Sequence, residues 1–273
     1  MGITLPEFTA VERSLYLTLG GRALDSRASR PFLGDTASAE VAELIGYDLA
    51  DFPMAPSKTF DIAVRAKRMD EIVARFIRRH SDAVVLDLGV GLDTRIRRVD
   101  PPSTVDWYDI DLPAVIDVRR QVMEPRPNVH NIRIDLADPD WLAQIPADRP
   151  AVMVADGLIA FLAQDVVESL LHRLTDHFPS GELAFNAYTR FHVWAVRHYK
   201  GTDSISDVMA NPGFDDPHDV ERWEPRLCLV EEILLTRAPE VAMLPPALRL
   251  VTRLFGLSRA LSRRGTTVLR YQF

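Results

Sequence analysis

LDLGVGLDTRIRR, residues 86–98, is the stretch on which the fold turns. The run AVVLDL at 83–88 is short, apolar and β-branched; it passes directly into Gly89-Val90-Gly91, and a helical pattern follows. Glycines at such a turn let the backbone come close to a ligand, and the helix beyond offers N–H groups without intrahelical partners. Twenty residues past Gly91, Asp111 closes the next apolar run, VDWYDID at 105–111. An acid at that strand end can accept hydrogen bonds from both hydroxyls of a ribose. A lone Gly-x-Gly is equally an ordinary strand-to-helix turn. Strand, glycine pair, helix and acid together point to a nucleoside cofactor.

Outward from this turn the alternation continues. Apolar runs at 130–135, 151–156 and 181–187 are interleaved with helical patterns at 59–80, 112–123 and 164–178. That is how an α/β domain with a parallel sheet reads. Runs at 226–234 and 266–273 look like later, antiparallel strands. Asp111, Asp135 and Asp156 each end a run. Ligands of open parallel sheets bind beyond the C-terminal strand ends, so these acids are site candidates.

Residues 1–58 differ. They hold helical patterns at 9–19, closed by Gly20-Gly21, and at 36–45, closed by Gly46, punctuated by Pro6, Pro31, Pro53 and Pro56. This block is expected to be a helical cap on a domain spanning 59–273. A second irregular stretch, about 188–224, carries Phe191, His192, Trp194, His198 and Tyr199 and then NPGFDDP. An insertion of that size between strands is expected to be a substrate lid. Residues 249–264, apolar with interspersed arginines, are expected to form a core-facing helix between the last two strands. A membrane-surface helix is the alternative.

The 273 residues and 47% apolar content suffice for a sizeable core. Basic and acidic side chains, 32 and 39, leave a net charge of −7 without an isolated basic run, which argues against nucleic-acid binding. Lysine occurs only at Lys58, Lys67 and Lys200; every other basic residue is arginine. The single cysteine, Cys228, excludes an intramolecular disulfide and a thiolate-rich zinc site, and no His/Asp/Glu grouping has metal-ligand spacing. Glu7, Glu12 and Arg13 interrupt the N-terminal stretch, unlike a signal peptide, and no apolar run approaches the roughly 18 residues of a membrane span. A cytoplasmic protein with a small-molecule substrate and no nucleic-acid, metal or membrane partner is expected, homodimerisation being left open.

The third glycine of the dinucleotide fingerprint is absent, because Leu92, Asp93 and Thr94 follow Gly91. Asp93 beside a pyrophosphate would be repulsive. A cationic cofactor without phosphates, S-adenosylmethionine, fits the acids better than NAD. The string LDLGVGLDTRIRRVDPPSTVDWYDIDLPAVIDVRR at 86–120 resembles the leucine carboxyl methyltransferase family, in particular its bacterial branch with polyketide O-methyltransferases of the tetracenomycin type. The features shared are a Gly-x-Gly-x-Asp-Thr turn (Gly89, Gly91, Asp93, Thr94) and Asp111 with Pro113 at the next strand end. AVRAKRMD at 63–70 is similar to the family's Arg-x-Arg-x-x-Asp helix, IDLADPDW at 134–141 to its third-strand motif, and ADGLIAFL at 155–162 to its Glu-Gly-x-x-x-Tyr-Leu. VLRYQF at 268–273 is similar to its last strand, so the resemblance runs from about residue 25 to the end.

The resemblance implies a Rossmann-like class I methyltransferase: a seven-stranded, mostly parallel sheet, helices on both faces, and an antiparallel last pair. It implies that Arg65 binds the carboxylate of S-adenosylmethionine and that Gly89 and Gly91, in the turn with Asp93, pass under the methionine part. Asp111, with Leu112, would hold the ribose, and Asp135 and Leu136 would contact the adenine. Asp156, with Gly157, would sit near the methionine amino group. The chain departs from the family pattern at Asp156, where a glutamate is usual, at Phe161, where a tyrosine is usual, and at Lys67, which replaces the second arginine.

Methyl transfer from a sulfonium is an in-line displacement that needs alignment and exclusion of water. A carboxylate acceptor, titrating near about 4, needs no base, whereas a phenol near about 10 profits from one. The catalytic residues therefore stay open. His192, His198 and Tyr199 are candidates, each equally readable as a surface or lid-packing residue. Phe161, Tyr188 and Trp194 are candidates for the substrate pocket; Asp109 reads as solvated, and Trp107 and Trp141 as packing aromatics. The function expected is methylation of a carboxylate or phenol on a polyketide-like metabolite. The alternatives are a non-catalytic cofactor-binding member, an NAD-dependent oxidoreductase, and methylation of a protein's C-terminal leucine.

Overall fold

Seven strands, β1 (Val84–Leu88), β2 (Asp106–Asp111), β3 (Val129–Arg133), β4 (Ala151–Ala155), β5 (Gly181–Ala187), β6 (Cys228–Leu234) and β7 (Thr267–Gln272), form one sheet in the order β3-β2-β1-β4-β5-β7-β6. The computed structural model describes residue 3 and residues 5–51, 54–198 and 207–273. The first five strands are parallel; β7 runs antiparallel to both β5 and β6. This is the expected class I methyltransferase sheet. The order reverses between β1 and β4, and that switch point opens a crevice at the strand C-termini.

The apolar runs are continuous because both faces of the sheet are covered. On one face Val84, Leu86, Leu88, Tyr108 and Ile110 pack with Leu170, Leu171 and Leu174 of helix α6 (Gln164–His177). On the other, Val85, Val152, Val154 and Ala184 meet Met69, Ile72, Val73 and Phe76 of α3 (Pro56–Arg79). Short α4 (Arg95–Val99) follows the glycine turn and α5 (Pro113–Val122) follows β2. Trp107 and Trp141 are fully buried, as packing aromatics should be.

The N-terminal helices α1 (Ser14–Ser26) and α2 (Thr36–Leu44) pack Leu15, Leu19, Val41 and Ala42 against Leu92, Val115 and Val118, beside the glycine turn. Helix α2 ends at Gly46, φ +70°, as its sequence indicates. Helix α1 does not end at Gly20-Gly21. A Cβ on Gly21 would lie 2.6 Å from Ile62 Cδ1 and one on Gly20 3.3 Å from Tyr47 Cε1, so Gly21 lets α1 press against α3 and Gly20 faces the Tyr47 ring, and neither stops the helix. Helix α3 likewise starts at Pro56 and runs across residue 58 without a break. The inserted stretch holds α7 (Arg190–His198) and α8 (Asp219–Trp223).

Residues 246–262 do lie between β6 and β7, as α9 (Pro246–Gly256) and α10 (Arg259–Ser262), but α9 does not face the core. No residue of α9 is buried, and Leu250, Val251 and Leu254 are at least half exposed. It rests on the turns at 235–243: Leu248 packs on the Phe60–Leu235 cluster, Gly256 lies against the carbonyl of Thr236, and Arg237 Nε donates to the Gly256 carbonyl. Among the described residues no helix is long and apolar enough to cross a membrane.

Candidate active site

The C-terminal ends of β1, β2 and β4, together with α1, the start of α3 and α7, enclose a cavity of about 840 Å³. That is near the upper end of the roughly 300–1,000 Å³ usual for small-molecule sites. Gly89, φ +62°, and Gly91, φ +53°, turn the chain beneath it, in a backbone region that side chains disfavour. A Cβ on Gly89 would also meet Leu158 Cδ1 at 2.8 Å. Gly89 is thus dictated both by conformation and by close approach, and Gly91 by conformation.

Asp111 is fixed from two sides: the Gly91 N–H donates to its Oδ2 and the Leu112 N–H to its Oδ1, both at 2.7 Å. Burial pushes its carboxyl up to about 6, against the pull of these two donors. Its remaining lone pairs are free for a diol. Leu112, Asp135 and Leu136 line the cavity beside it, and Asp135 Oδ1 accepts from the Ala137 N–H at 2.9 Å.

Across the cavity Arg65, 3% exposed, forms an ion pair with Asp156 and donates from Nη1 to the Tyr188 hydroxyl at 3.1 Å. Arg95 Nη2 stands 3.6 Å from the other Asp156 oxygen. Asp156 Oδ1 and Arg65 Nε face each other in that ion pair, and Asp156 Oδ2 is buried without a hydrogen bond. A carboxylate with one oxygen unspent, beside a guanidinium, fits an ammonium and a carboxylate on one carbon. The residues therefore suit the methionine end of S-adenosylmethionine as Asp111 suits its ribose. Gly157 lies next to them and donates its N–H to Asn186 Oδ1 at 2.6 Å.

Asp93 borders the cavity, but its carboxylate is directed at Arg98, Arg95 and Arg22, at 2.8, 3.3 and 3.4 Å. Burial alone would raise it; Arg22, Arg98 and Arg95 outweigh that and hold it well below the usual carboxylate range. Asp109, expected to be solvated, is instead 2% exposed, bound by Arg119 Nε at 2.7 Å and Trp107 Nε1 at 3.0 Å. It shares Asp111's face of β2 but lies two residues back from the strand end, where Arg119 and Trp107 enclose it.

Phe161, Tyr188 and His192 line the cavity. Trp194 does not; it is 51% exposed on the outer side of α7. His198 is exposed as well, bonded through Nδ1 to the Trp194 carbonyl, and Tyr199 lies outside the described residues. His192 Nδ1 lies 3.3 Å from the Arg264 carbonyl, which can only accept, so Nδ1 carries the proton. Burial lowers the pKa of the ring, which leaves Nε2 with a lone pair.

Two lining residues escaped the sequence reading. Lys58 and Asp61 stand one helical turn apart on α3, and Arg65 one turn further in. The Lys58 ammonium has no hydrogen-bond or ion-pair partner among the described residues, and burial lowers its pKa, with Asp61 opposing. Thr9 and Glu12 line the rim and cap each other reciprocally, Thr9 N–H to Glu12 Oε2 at 2.7 Å and Glu12 N–H to Thr9 Oγ1 at 3.3 Å. Among the described residues no cluster of metal ligands exists.

The leucine carboxyl methyltransferase family model matches residues 20–175, which contain the glycine turn, Arg65, Asp111 and Asp156. The chain belongs to the leucine carboxyl methyltransferase family. It is 35% identical over 89% of both chains to the tetracenomycin polyketide synthesis O-methyltransferase TcmP of Streptomyces glaucescens. It is 34% identical, over 80% of both, to the S-adenosyl-L-methionine-dependent methyltransferase dpfgK of Gibberella zeae. Among solved structures, an S-adenosylmethionine dependent methyltransferase from Mesorhizobium loti superposes with a TM-score of 0.53 at 13% identity, covering 76% of this chain and all of that one. As a member of this family the chain is an S-adenosylmethionine-dependent O-methyltransferase of small molecules, and the oxidoreductase reading falls away.

Proposed function

We propose that the methyl acceptor is the carboxylate of an aromatic, polyketide-like small molecule and that Lys58 pairs with it. The observation that carries this reading is an unpartnered ammonium on the same wall as Arg65, two helical turns from the methionine end of the site. Around it the wall is largely apolar, with Leu17, Ile62, Phe161, Leu162, Val196 and Met209. Relatedness to a polyketide O-methyltransferase supports an aromatic acceptor.

In this reading Arg65 takes the cofactor's carboxylate, Asp156 its ammonium, Asp111 and Leu112 its ribose, and Asp135 and Leu136 its adenine. Gly89, Gly91 and Gly157 leave room for it, and Asp93 holds the turn through its arginines. S-adenosylmethionine, when bound, supplies an electrophilic methyl on a sulfonium. The chain's own work is to bind, align and exclude water. Lys58 orients an anion that is already ionised at neutral pH, so no base is required. The N-terminal block and α7 cover the cavity as cap and lid.

The experiment is methyl transfer to a panel of polycyclic aromatic acids and their carboxamides, with ester and S-adenosylhomocysteine detected by mass spectrometry. Acids should be converted and carboxamides not. Lys58→Gln should raise KM for the acid about 10–100-fold, the range expected for losing a hydrogen bond to a charged group, while S-adenosylhomocysteine binds as before. A second reading, a phenolic acceptor, is favoured by the free Nε2 of His192. It requires that phenols be methylated and that His192→Ala abolish a rate that rises with pH.

A further inference from the structure

Ten large apolar side chains are exposed among the described residues, and six of them, Leu250, Val251, Leu254, Phe255, Leu257 and Leu261, fall in α9, α10 and the link between them. Two more, Phe191 and Trp194, sit on α7, where the Arg264 guanidinium lies 4.9 Å over the Phe191 ring. Scattered exposed apolar residues need no explanation, but a contiguous cluster marks an interaction surface.

The charge on this surface selects its partner. In a chain of net charge −7, residues 241–273 contain six arginines and no acid. Arg259 and Arg263 are committed to Glu232, and Arg270 to Glu182 and Glu231. Arg249 and Arg253 make no ion pair among the described residues. At helical spacing these two arginines form a row directly beside the Leu250–Leu254 row. A two-fold contact between copies would set a face bearing cations and no acid against its own image. An anionic bilayer surface supplies both what the leucines and what the arginines lack: an apolar layer and, above it, negative headgroups.

We propose that α9 and α10, with Phe191 and Trp194, dock the enzyme peripherally on an anionic lipid surface. This reverses the expectation of no membrane partner and takes up the alternative that the arginine-flanked pattern allowed. Its position gives it a use. Gly265 and Thr266, which follow α10, and His192 and Val196, from α7, belong to the cavity wall. Docking therefore brings the cavity wall to the boundary in which apolar aromatic acids partition. The inference does not depend on which acceptor oxygen is methylated.

The test is flotation of the full chain with vesicles of phosphatidylcholine alone or mixed with phosphatidylglycerol. Trp194 serves as a built-in fluorescent reporter, since Trp107 and Trp141 are buried and Trp223 is half-buried against Phe214. Binding to the phosphatidylglycerol vesicles with a blue shift, and at least tenfold weaker binding to phosphatidylcholine alone, is expected. Leu250→Glu/Leu254→Glu should lower that binding at least tenfold, and Arg249→Gln/Arg253→Gln should lower it and reduce its salt dependence. S-adenosylhomocysteine affinity and melting temperature should stay unchanged in both. The proposal is overturned if wild-type protein ignores phosphatidylglycerol vesicles or if both variants bind as wild type does. It is equally overturned if sedimentation shows a wild-type dimer that the leucine variant splits, because a second copy would then cover the face.

Discussion

Asp111 combines two opposing demands: it is enclosed by protein and it must be ionised to accept two ribose hydroxyls. Burial leaves it at about 6, in spite of the two backbone donors. A ligand that donates hydrogen bonds favours the carboxylate and lowers that value, so binding releases a proton when the pH is near it. Affinity for S-adenosylhomocysteine should therefore be full above about pH 7 and fall as pH drops through 6, at most about tenfold per unit. Asp111→Asn should bind about 10–100-fold more weakly and lose this dependence between pH 5 and 7, which calorimetric titration across that range checks. Arg65→Ala, by contrast, should weaken S-adenosylhomocysteine but leave adenosine untouched, because only the former carries the carboxylate; equal losses would make Arg65 structural. Asp111, Asp135 and Asp156 were legible because a strand's end is visible in a linear pattern. Lys58 was not, because Pro56 reads as punctuation although it occupies the first turn of α3, where its missing N–H costs nothing; Asp61 lay inside the expected helix but carried no motif to mark it. Once the helix starts there, the spacing back from Arg65 puts both residues on the cavity side.

At the level of elements, glycine misleads when its reason is a neighbour rather than a turn. Gly46 ends α2 with a positive φ and was legible; Gly21 sits inside α1 where α3 presses on it and Gly20 where the Tyr47 ring does, which no local pattern encodes. Gly21→Ala should gain up to about 1 kcal/mol of helix propensity and lose about 1–3 kcal/mol to overpacking against Ile62. A net destabilisation in urea unfolding is expected. Adding Ile62→Val removes the Cδ1 atom that lies 2.6 Å from the new methyl and should return part of the loss, giving a favourable coupling in the double-mutant cycle. Helix α9 failed for the complementary reason: its apolar stripe is real, but periodicity identifies a face and not what the face meets. The seven-stranded sheet with its antiparallel last pair was legible through the resemblance and the strand runs could be read directly, whereas the strand order comes from the structure.

Across the whole molecule, the cap and the sheet domain are joined by a charge network that the sequence hides, since its members are far apart along the chain. Arg98 of α4 reaches Asp35 at the start of α2 at 2.7 Å, Asp93 of the glycine turn at 2.8 Å, and Asp70 of α3 at 2.6 Å. Arg22 of α1 approaches Asp93, and Arg95 holds Asp87 in a two-pronged bond at 2.7 and 2.8 Å while reaching toward Asp156. Removing Arg98 takes one cationic partner from each of Asp35, Asp70 and Asp93, largely buried groups left with Arg22 and Arg95 alone. Arg98→Met should therefore cost about 3–5 kcal/mol, the penalty for stranding one side of a buried pair. Because the network spans cap and core, the loss should appear as one cooperative transition at lower urea, coincident by fluorescence and circular dichroism; two transitions would mean that the cap unfolds by itself. The share of the pH dependence that Asp93 carries has a definite sign, opposite to that of Asp70 and Asp87, which burial raises. With Asp93 held well below the usual carboxylate range, its contribution is complete above the unfolded-state value near about 4 and is lost only as pH falls toward its depressed folded value. Arg98→Met raises that folded value, so the variant should lose stability at a higher pH than wild type does, and acid unfolding followed beside urea unfolding distinguishes this from a uniform loss of packing.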